Sequence, residues 1–349
     1  MKLLITTQTI DKNDPILGFF HGWVEEFAKH FERVDVICLR EGVHTLPDNV
    51  HVHSLGKENG ENKLKYLFRF YKYFYILFFR VRVDYVLFHM GAIYNILAAP
   101  FFLIRKIRKT KFFWWKTHGL LNLTGRIALT CVDEVVTAGS KSFNAKTNKV
   151  RSVGHAVDTD ALLYSEKVSE HTGLKTIAVG RITPIKKNEI AVNVIAEYRR
   201  TVNDQISLDL YGPVTDAAYK TKLDAEIMRK HLETQVTFCG AKTQAEMWSV
   251  YSKYDVLIHP SYEAGFDKVV LEAMAAGVIP VTSIQSFEPV LGPLGLYAAP
   301  QDVAQYVEML SRIRNMRDTE RSELRKRLRK IVETEHSIGT LSERIFGVL

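Results

Sequence analysis

Arg181 and Lys186 stand five residues apart in the stretch Gly180-Arg181-Ile182-Thr183-Pro184-Ile185-Lys186-Lys187-Asn188. Two basic side chains on one short loop can neutralise the two phosphates of a diphosphate. Further along, Ser261-Tyr262-Glu263-Ala264-Gly265-Phe266-Asp267-Lys268 leads into Val269 to Ala276, good helix formers that include Glu272. A glycine loop feeding a helix N-terminus presents unpaired N–H groups and the positive end of a dipole, which attract phosphate. Glu263 and Glu272 would repel that phosphate, so they make sense beside it when the ligand also carries hydroxyls, from which a carboxylate accepts two or more hydrogen bonds. Phosphate and polyol together describe a nucleotide sugar. The plainer alternative is an ordinary βαβ unit with a glycine turn and two solvated glutamates.

The elements that would position these groups follow from the surrounding pattern. Val256 to Ile258 form an apolar run that ends at His259-Pro260, a strand stopping at a ligand-facing edge. Gly277 closes the helix, and Val278-Ile279-Pro280-Val281 begins a buried strand. Lys175 to Val179 is a strand before the Arg181 loop, and Glu189 to Arg200 a helix after it. Ser207 to Tyr211 before Gly212, and Val236 to Cys239 before Gly240, repeat the sequence of strand and glycine. Their loops face the same edge, where backbone groups near Gly212 and Ala241 are expected to hold a base and ribose. Helices are expected over 217–231, 244–252, 303–316 and 319–334.

The first half has the same rhythm. Lys2 to Thr6 reads as a strand, with a helix from Phe19 to Phe31; Gly18 sits at the turn between them, as a phosphate-loop glycine or a plain turn glycine. Val34 to Leu39 and Val50 to Leu55 are further strands. Tyr85 to Ile104 holds twenty residues without Lys, Arg, Asp or Glu. Gly91, Asn95 and Pro100 interrupt it, so a strand followed by a helix from Ala92 is expected rather than a spanning helix. Lys111 to Lys116 is a strand ending in Thr117-His118-Gly119. A histidine at the carboxyl end of a strand in an open α/β sheet points to the crevice where ligands bind. His118 is the candidate, His89 the second, and a structural histidine the alternative.

Composition narrows the class. With 349 residues, 46% of them apolar and 25% charged, two ordinary cores are expected. Cys38, Cys131 and Cys239 are odd in number and far apart, which argues against a disulfide framework or a zinc site and for a reducing cytosol. Residues 1–10 reach Asp11 too quickly for a signal peptide. The net charge of +8 is unevenly spread: Lys57 to Lys116 carries thirteen basic residues against three acids, crowded with aromatics between Tyr66 and Phe79. Lys63 to Arg82 reads as a helix, either meeting an anionic membrane or presenting a solvated basic face over a buried one.

Leu271-Glu272-Ala273-Met274-Ala275-Ala276-Gly277, followed by Pro280-Val281, resembles the glutamate-pair motif of family-four (group 1) retaining glycosyltransferases of the GT-B fold. Arg181 and Lys186 fall at that family's spacing, and Gly154-His155-Ala156-Val157-Asp158 is similar to its interdomain segment. Glu263 lies one residue further from Glu272 than the family's first acid, leaving Ala264 there and making Asp267 a substitute. The resemblance implies an α/β protein of two facing Rossmann-like, doubly wound domains with an interdomain cleft. Residues 1–154, with a C-terminal helix over about 337–349, would bind the acceptor, and 155–336 the nucleotide sugar.

The resemblance also assigns roles. Arg181 and Lys186 would stabilise the departing diphosphate together with the helix N-terminus at Lys268 and Val269. Glu272 would take ribose hydroxyls, Glu263 or Asp267 the donor sugar, and His118 the sugar near the reaction centre. Gly18, Gly212, Ala241, Gly265 and Phe266 would complete the donor site. Retention of anomeric configuration is implied, with no metal and no cofactor beyond the donor. Asp158-Thr159-Asp160 imitates a metal-binding Asp-x-Asp but follows the domain boundary without supporting ligands.

The expected partners are a nucleotide sugar and a glycan or lipid-linked acceptor, in a cytoplasmic protein able to lie on the inner face of an anionic membrane. A nucleotide-sugar epimerase or phosphorylase would share the fold. A nucleic-acid-binding module could use the basic aromatic block but leaves the glutamates unexplained, so no nucleic acid is expected.

Overall fold

Strands buried on both faces need near-continuous apolar runs, and such strands pair in parallel beneath covering helices. Leu3 to Ile5, Val86 to Phe88, Phe112 to Trp115 and Val256 to Ile258 are such runs, all buried. The computed structural model describes all residues except 15, 118–120, 140–142, 144, 146, 167–171, 263–266 and 348–349. It divides into two compact units, Met1–His155 with Ile338–Leu349, and Ala156–Ser337.

The first unit runs β1 (Lys2–Ile10), α1 (Phe19–His30), β2 (Arg33–Glu41), β3 (Val50–Ser54), α2 (Lys63–Tyr75), β4 (Tyr85–His89), α3 (Ala92–Leu97), α4 (Ala99–Arg108), β5 (Lys111–Trp115), α5 (Leu123–Thr130), β6 (Glu134–Thr137) and β7 (Val150–Ser152). Its sheet is parallel, in the order β3-β2-β1-β4-β5-β6-β7. The helix expected from Ala92 is two helices, because Pro100 has no N–H to give and sits in the first turn of α4 at no loss. Ala98 ends one helix and starts the next. No helix among the described residues is long and apolar enough to cross a membrane. The helix expected over Lys63 to Arg82 loosens after Tyr75 into a π-helical segment, Ile76–Val81, and ends on Arg82 with φ 62°.

The second unit runs β8 (Leu174–Val179), α6 (Asn188–Val202), β9 (Ile206–Tyr211), α7 (Ala217–Arg229), β10 (Val236–Gly240), α8 (Gln244–Tyr251), β11 (Val256–His259), α9 (Lys268–Ala276), β12 (Ile279–Thr282), α10 (Glu288–Leu291), α11 (Val303–Asn315) and α12 (Asp318–Glu335). Its sheet is also parallel, in the order β10-β9-β8-β11-β12. After β10 the chain crosses back to β11 on the other side of β8, so the strand order reverses between β8 and β11. Ligands of open α/β sheets bind at that reversal, outside the carboxyl ends of the strands. Arg181 follows one of these two strands and His259 ends the other. Both units are Rossmann-like.

The chain then rejoins the first unit as α13 (Leu341–Phe346). Phe346 packs edge-on against Phe27, Phe31 and Phe113, with ring centroids 5.3–5.6 Å away. Arg151 donates to the carbonyls of Arg344 and Ile345, while Arg344 donates to those of Val153 and His155.

Asp255, at the foot of β11, anchors the second unit. Its Oδ2 accepts from the Lys175 N–H at 3.1 Å and its Oδ1 from Arg325 of α12 at 3.3 Å, both acid and base being buried. Removing one member of a buried pair strands the other charge. Arg325→Leu is therefore expected to lower unfolding free energy in urea by about 3–5 kcal/mol; a change below about 1 kcal/mol would show that the pair contributes no net stability.

Candidate functional site

Three strands of the second sheet, β8, β9 and β10, end on glycines with positive φ: Gly180, Gly212 and Gly240. Gly212 has the strictest requirement. With φ at 147° and a Cβ that would fall 2.0 Å from the Gly180 carbonyl oxygen, no other residue fits without moving the loop. Its N–H donates to the Gly240 carbonyl at 2.8 Å, and the Gly180 N–H to that of Tyr211 at 2.9 Å. These bonds fix the sheet edge on which Arg181 stands. Arg181 is exposed and makes no hydrogen bond or ion pair among the described residues. Ala241 follows Gly240 on the same edge and is also exposed.

Lys186 reaches from the β8–α6 loop to Asp267, the N-cap of α9, and pairs with its carboxylate. His259 Nε2 lies 3.0 Å from the same Asp267 oxygen. The other oxygen accepts from the Val269 N–H at 3.4 Å. Burial alone would raise the Asp267 pKa, but the Lys186 ammonium and then the His259 contact outweigh it and hold the carboxyl well below its usual range. Ser261 adds a second tie between the two loops, its Oγ donating to the Ile185 carbonyl at 2.8 Å.

Lys186, Asp267 and the α9 N-terminus are thus engaged with one another, the helix receiving the chain's own carboxylate at Val269. The reason is simple. Asp is a strong N-cap, and a cation on the neighbouring loop makes its burial tolerable.

Glu272, one turn into α9, is 5% exposed. Its Oε1 accepts from Gln244 Nε2 and pairs with Lys268 Nζ, both at 3.2 Å, and its Oε2 accepts from the Tyr251 hydroxyl at 3.2 Å. Burial, then the charge of Glu272, push the Tyr251 phenol well up, so it stays a donor. A carboxylate has about four lone-pair sites. Three contacts from the chain leave room for one further hydroxyl.

Sequence reasoning missed His259, Gln244 and Tyr251. The signal for His259 was its place at a strand end, the feature that singled out His118. Gln244 and Tyr251 lie seven apart in α8, on one face of that helix. Glu263, Gly265 and Phe266 lie outside the described residues, as does His118. Asp158 of the Asp-x-Asp look-alike turns inward to its own backbone: its Oδ1 accepts from the N–H groups of Asp160 and Ala161 at 3.1 and 2.9 Å.

In the first unit the strand order reverses between β1 and β4, and there Thr7 Oγ1 lies 3.0 Å from His89 Nδ1. His89 stacks on Phe20 with centroids 3.8 Å apart. Burial, with a smaller contribution from His155, pushes its pKa down to about 3, so it stays neutral. Gly18 starts α1 with ordinary helical φ, and it is needed because a Cβ there would lie 2.6 Å from the Asp14 carbonyl oxygen.

Residues 164–333 match the model of the family described as glycosyl transferases group 1. An O-antigen chain mannosyltransferase of Salmonella typhimurium, RfbU, is 24% identical over 180 residues. That alignment covers 51% of this chain and 48% of the relative, about half the length of each. Among solved structures, HepE of Anabaena in complex with UDP-glucose superposes with a TM-score of 0.75 at 16% identity, covering 99% of this chain and 98% of that one. Sucrose-phosphate synthase of Thermosynechococcus elongatus gives 0.72 at 15%, covering 98% and 96%. The lipopolysaccharide outer core galactosyltransferase WaaB gives 0.67 at 14%, covering 99% of both chains. The fold is that of the GT-B glycosyltransferases.

Asp267 gives a pH signature. Its carboxyl is held below 3.8, the ordinary value, so its charged form stabilises the fold above that pH and the contribution fades as pH falls through the depressed value. The stability gap between wild type and Asp267→Asn, followed as urea midpoints, is expected to be widest above about pH 4 and to narrow progressively as the pH is lowered from there. A gap independent of pH would show that the ion pair is not its source.

Proposed function

We propose, from the match of residues 164–333 to the model of the group 1 glycosyl transferases, that this protein moves a sugar from a nucleoside-diphosphate sugar to an acceptor hydroxyl with retention of anomeric configuration. The observation that carries the reading is the meeting, at one strand reversal, of an exposed arginine, a lysine on the same loop, a helix N-terminus and a buried glutamate. The first three groups stabilise charge on a departing diphosphate; the fourth accepts from hydroxyls. Two similar proteins agree in kind: the Salmonella relative is an O-antigen chain mannosyltransferase, and the HepE structure is a complex with UDP-glucose. A glycan precursor, or a lipid-linked one, is the acceptor class that fits.

In this mechanism Arg181 and Lys186 bind the diphosphate, and the negative charge that grows as the anomeric C–O bond breaks falls on oxygens they already hold. Lys186 exchanges the Asp267 carboxylate for a phosphate oxygen. The freed carboxylate, or Glu263, then receives donor-sugar hydroxyls. Glu272 keeps its three contacts and accepts one ribose hydroxyl. His118 is assigned to the transferred sugar by the family resemblance alone. Two cations and a helix dipole supply the charge that a divalent ion would otherwise bring, so the reaction proceeds without metal.

A thermal-shift screen of nucleoside diphosphates is expected to find one that raises the melting temperature. Arg181→Ala is expected to lower transfer by about 10²–10³-fold with the melting temperature of the ligand-free protein unchanged. Near-normal turnover in that variant would remove Arg181 from the reaction. Release of free sugar isomer without an acceptor would assign the site to an epimerase instead.

A further inference from the structure

Helix α2 carries apolar side chains on two faces. Phe70 and Phe74 turn inward, where Phe70 stacks with Tyr94 and Phe74 packs on Phe101 and Phe112. A second stripe, Leu64, Phe68, Tyr71 and Tyr75, recurs at i, i+4, i+7 and i+11, about a third of a turn round the helix, and only Tyr71 of it rests on a buried ring, that of Phe101. Leu64 is 77% exposed, Phe68 71% and Tyr75 52%. Helix α4, held to α2 through Phe101, adds Leu103 at 80% and Ile107 at 83% exposure. Between the two helices runs a groove of about 490 Å³, lined by Phe68, Tyr75, Ile76 and Phe101 with Lys72 and Arg80. Large apolar side chains clustered in water mark a binding surface.

The charges beside this stripe say what covers it. Lys63, Lys65, Lys72, Arg80, Lys106 and Lys109 are exposed and make no ion pair among the described residues. Of the neighbouring acids, Glu61 pairs with Arg69 and Asp133 with Arg105, Asp84 accepts from the Lys2 backbone N–H, and Glu58 accepts from Ser54 Oγ and the Glu41 N–H. A second copy of the chain would bring like charges together across a twofold contact. Apolar and aromatic residues rimmed by unpaired lysine and arginine fit a flat anionic partner instead.

We infer that α2 and α4 form a docking face for an anionic phospholipid bilayer, with Leu64, Phe68, Leu103 and Ile107 entering the acyl boundary, Tyr71 and Tyr75 at headgroup level and the basic side chains on lipid phosphates. The groove between the helices accepts an acyl chain, and Arg80 and Lys72 meet its headgroup. This inference does not rest on the sugar-transfer reading. It concerns the first unit alone.

The test is flotation of the full-length protein with phosphatidylcholine vesicles containing about 30% phosphatidylglycerol, against phosphatidylcholine alone. Wild type is expected to float with the anionic vesicles, at least about tenfold more strongly than with neutral ones, and to lose most of this in about 0.5 M NaCl. Phe68→Ser with Ile107→Ser, and separately Lys65→Glu with Lys72→Glu, are each expected to weaken binding about tenfold or more. Circular dichroism and nucleotide-induced thermal shift, read on the same samples, show that the variants are folded and keep the second unit's behaviour separate. Equal binding to both vesicle types, or variants that float like wild type, would overturn the proposal. So would a concentration-dependent dimer, seen by light scattering and abolished by Phe68→Ser, because the face would then belong to a second copy.

Discussion

The second unit's site depends on one buried carboxylate. Asp267 receives Lys186 from one loop and His259 from the strand beside it, and caps the helix that carries Glu272. Remove its charge and three elements lose their common point. A buried ion pair is a poor source of net stability, because desolvation offsets much of the attraction, but it specifies geometry strongly. Here it sets how far Lys186 stands from the α9 N-terminus. Any anion that binds between them competes with a carboxylate whose geometry is already suited to both, which makes the site selective for ligands that offer more than a single charge.

The acid one turn deeper works differently. Glu272 is surrounded by donors from its own helix and from α8, so its side chain is fixed before any ligand arrives. An acceptor held in place costs little ordering when a hydroxyl approaches. The same three contacts limit it to a modest part: with most of its lone pairs engaged, it can orient a hydroxyl but is poorly placed to take a proton away.

Much of this was legible in the sequence. The two parallel sheets follow from apolar runs such as Phe112 to Trp115, and the end of α9 from Gly277, whose φ of 85° few other residues adopt cheaply. The Arg181 loop and Glu272 could be located from spacing alone. What spacing could not reveal was pairing at a distance. Lys186 and Asp267 are 81 residues apart and meet because β8 and β11 are neighbours in the sheet. Tyr251 and Gln244 were invisible for the same reason, as ordinary members of a helix until α9 lies beside them. The split at Pro100 and the π-helical end after Tyr75 depend on packing that propensities do not contain.

The last helix has a consequence for how the molecule is made. Phe346 fills a pocket among aromatics contributed by α1 and the first sheet, yet the whole second unit lies between it and them along the chain. Residues 338–346 are made only after the whole of the second unit, so the first unit cannot receive its aromatic plug until residues 156–337 have been synthesised. Completion of the amino-terminal body is thereby tied to synthesis of the carboxyl-terminal one, a departure from strictly sequential folding of domains during translation.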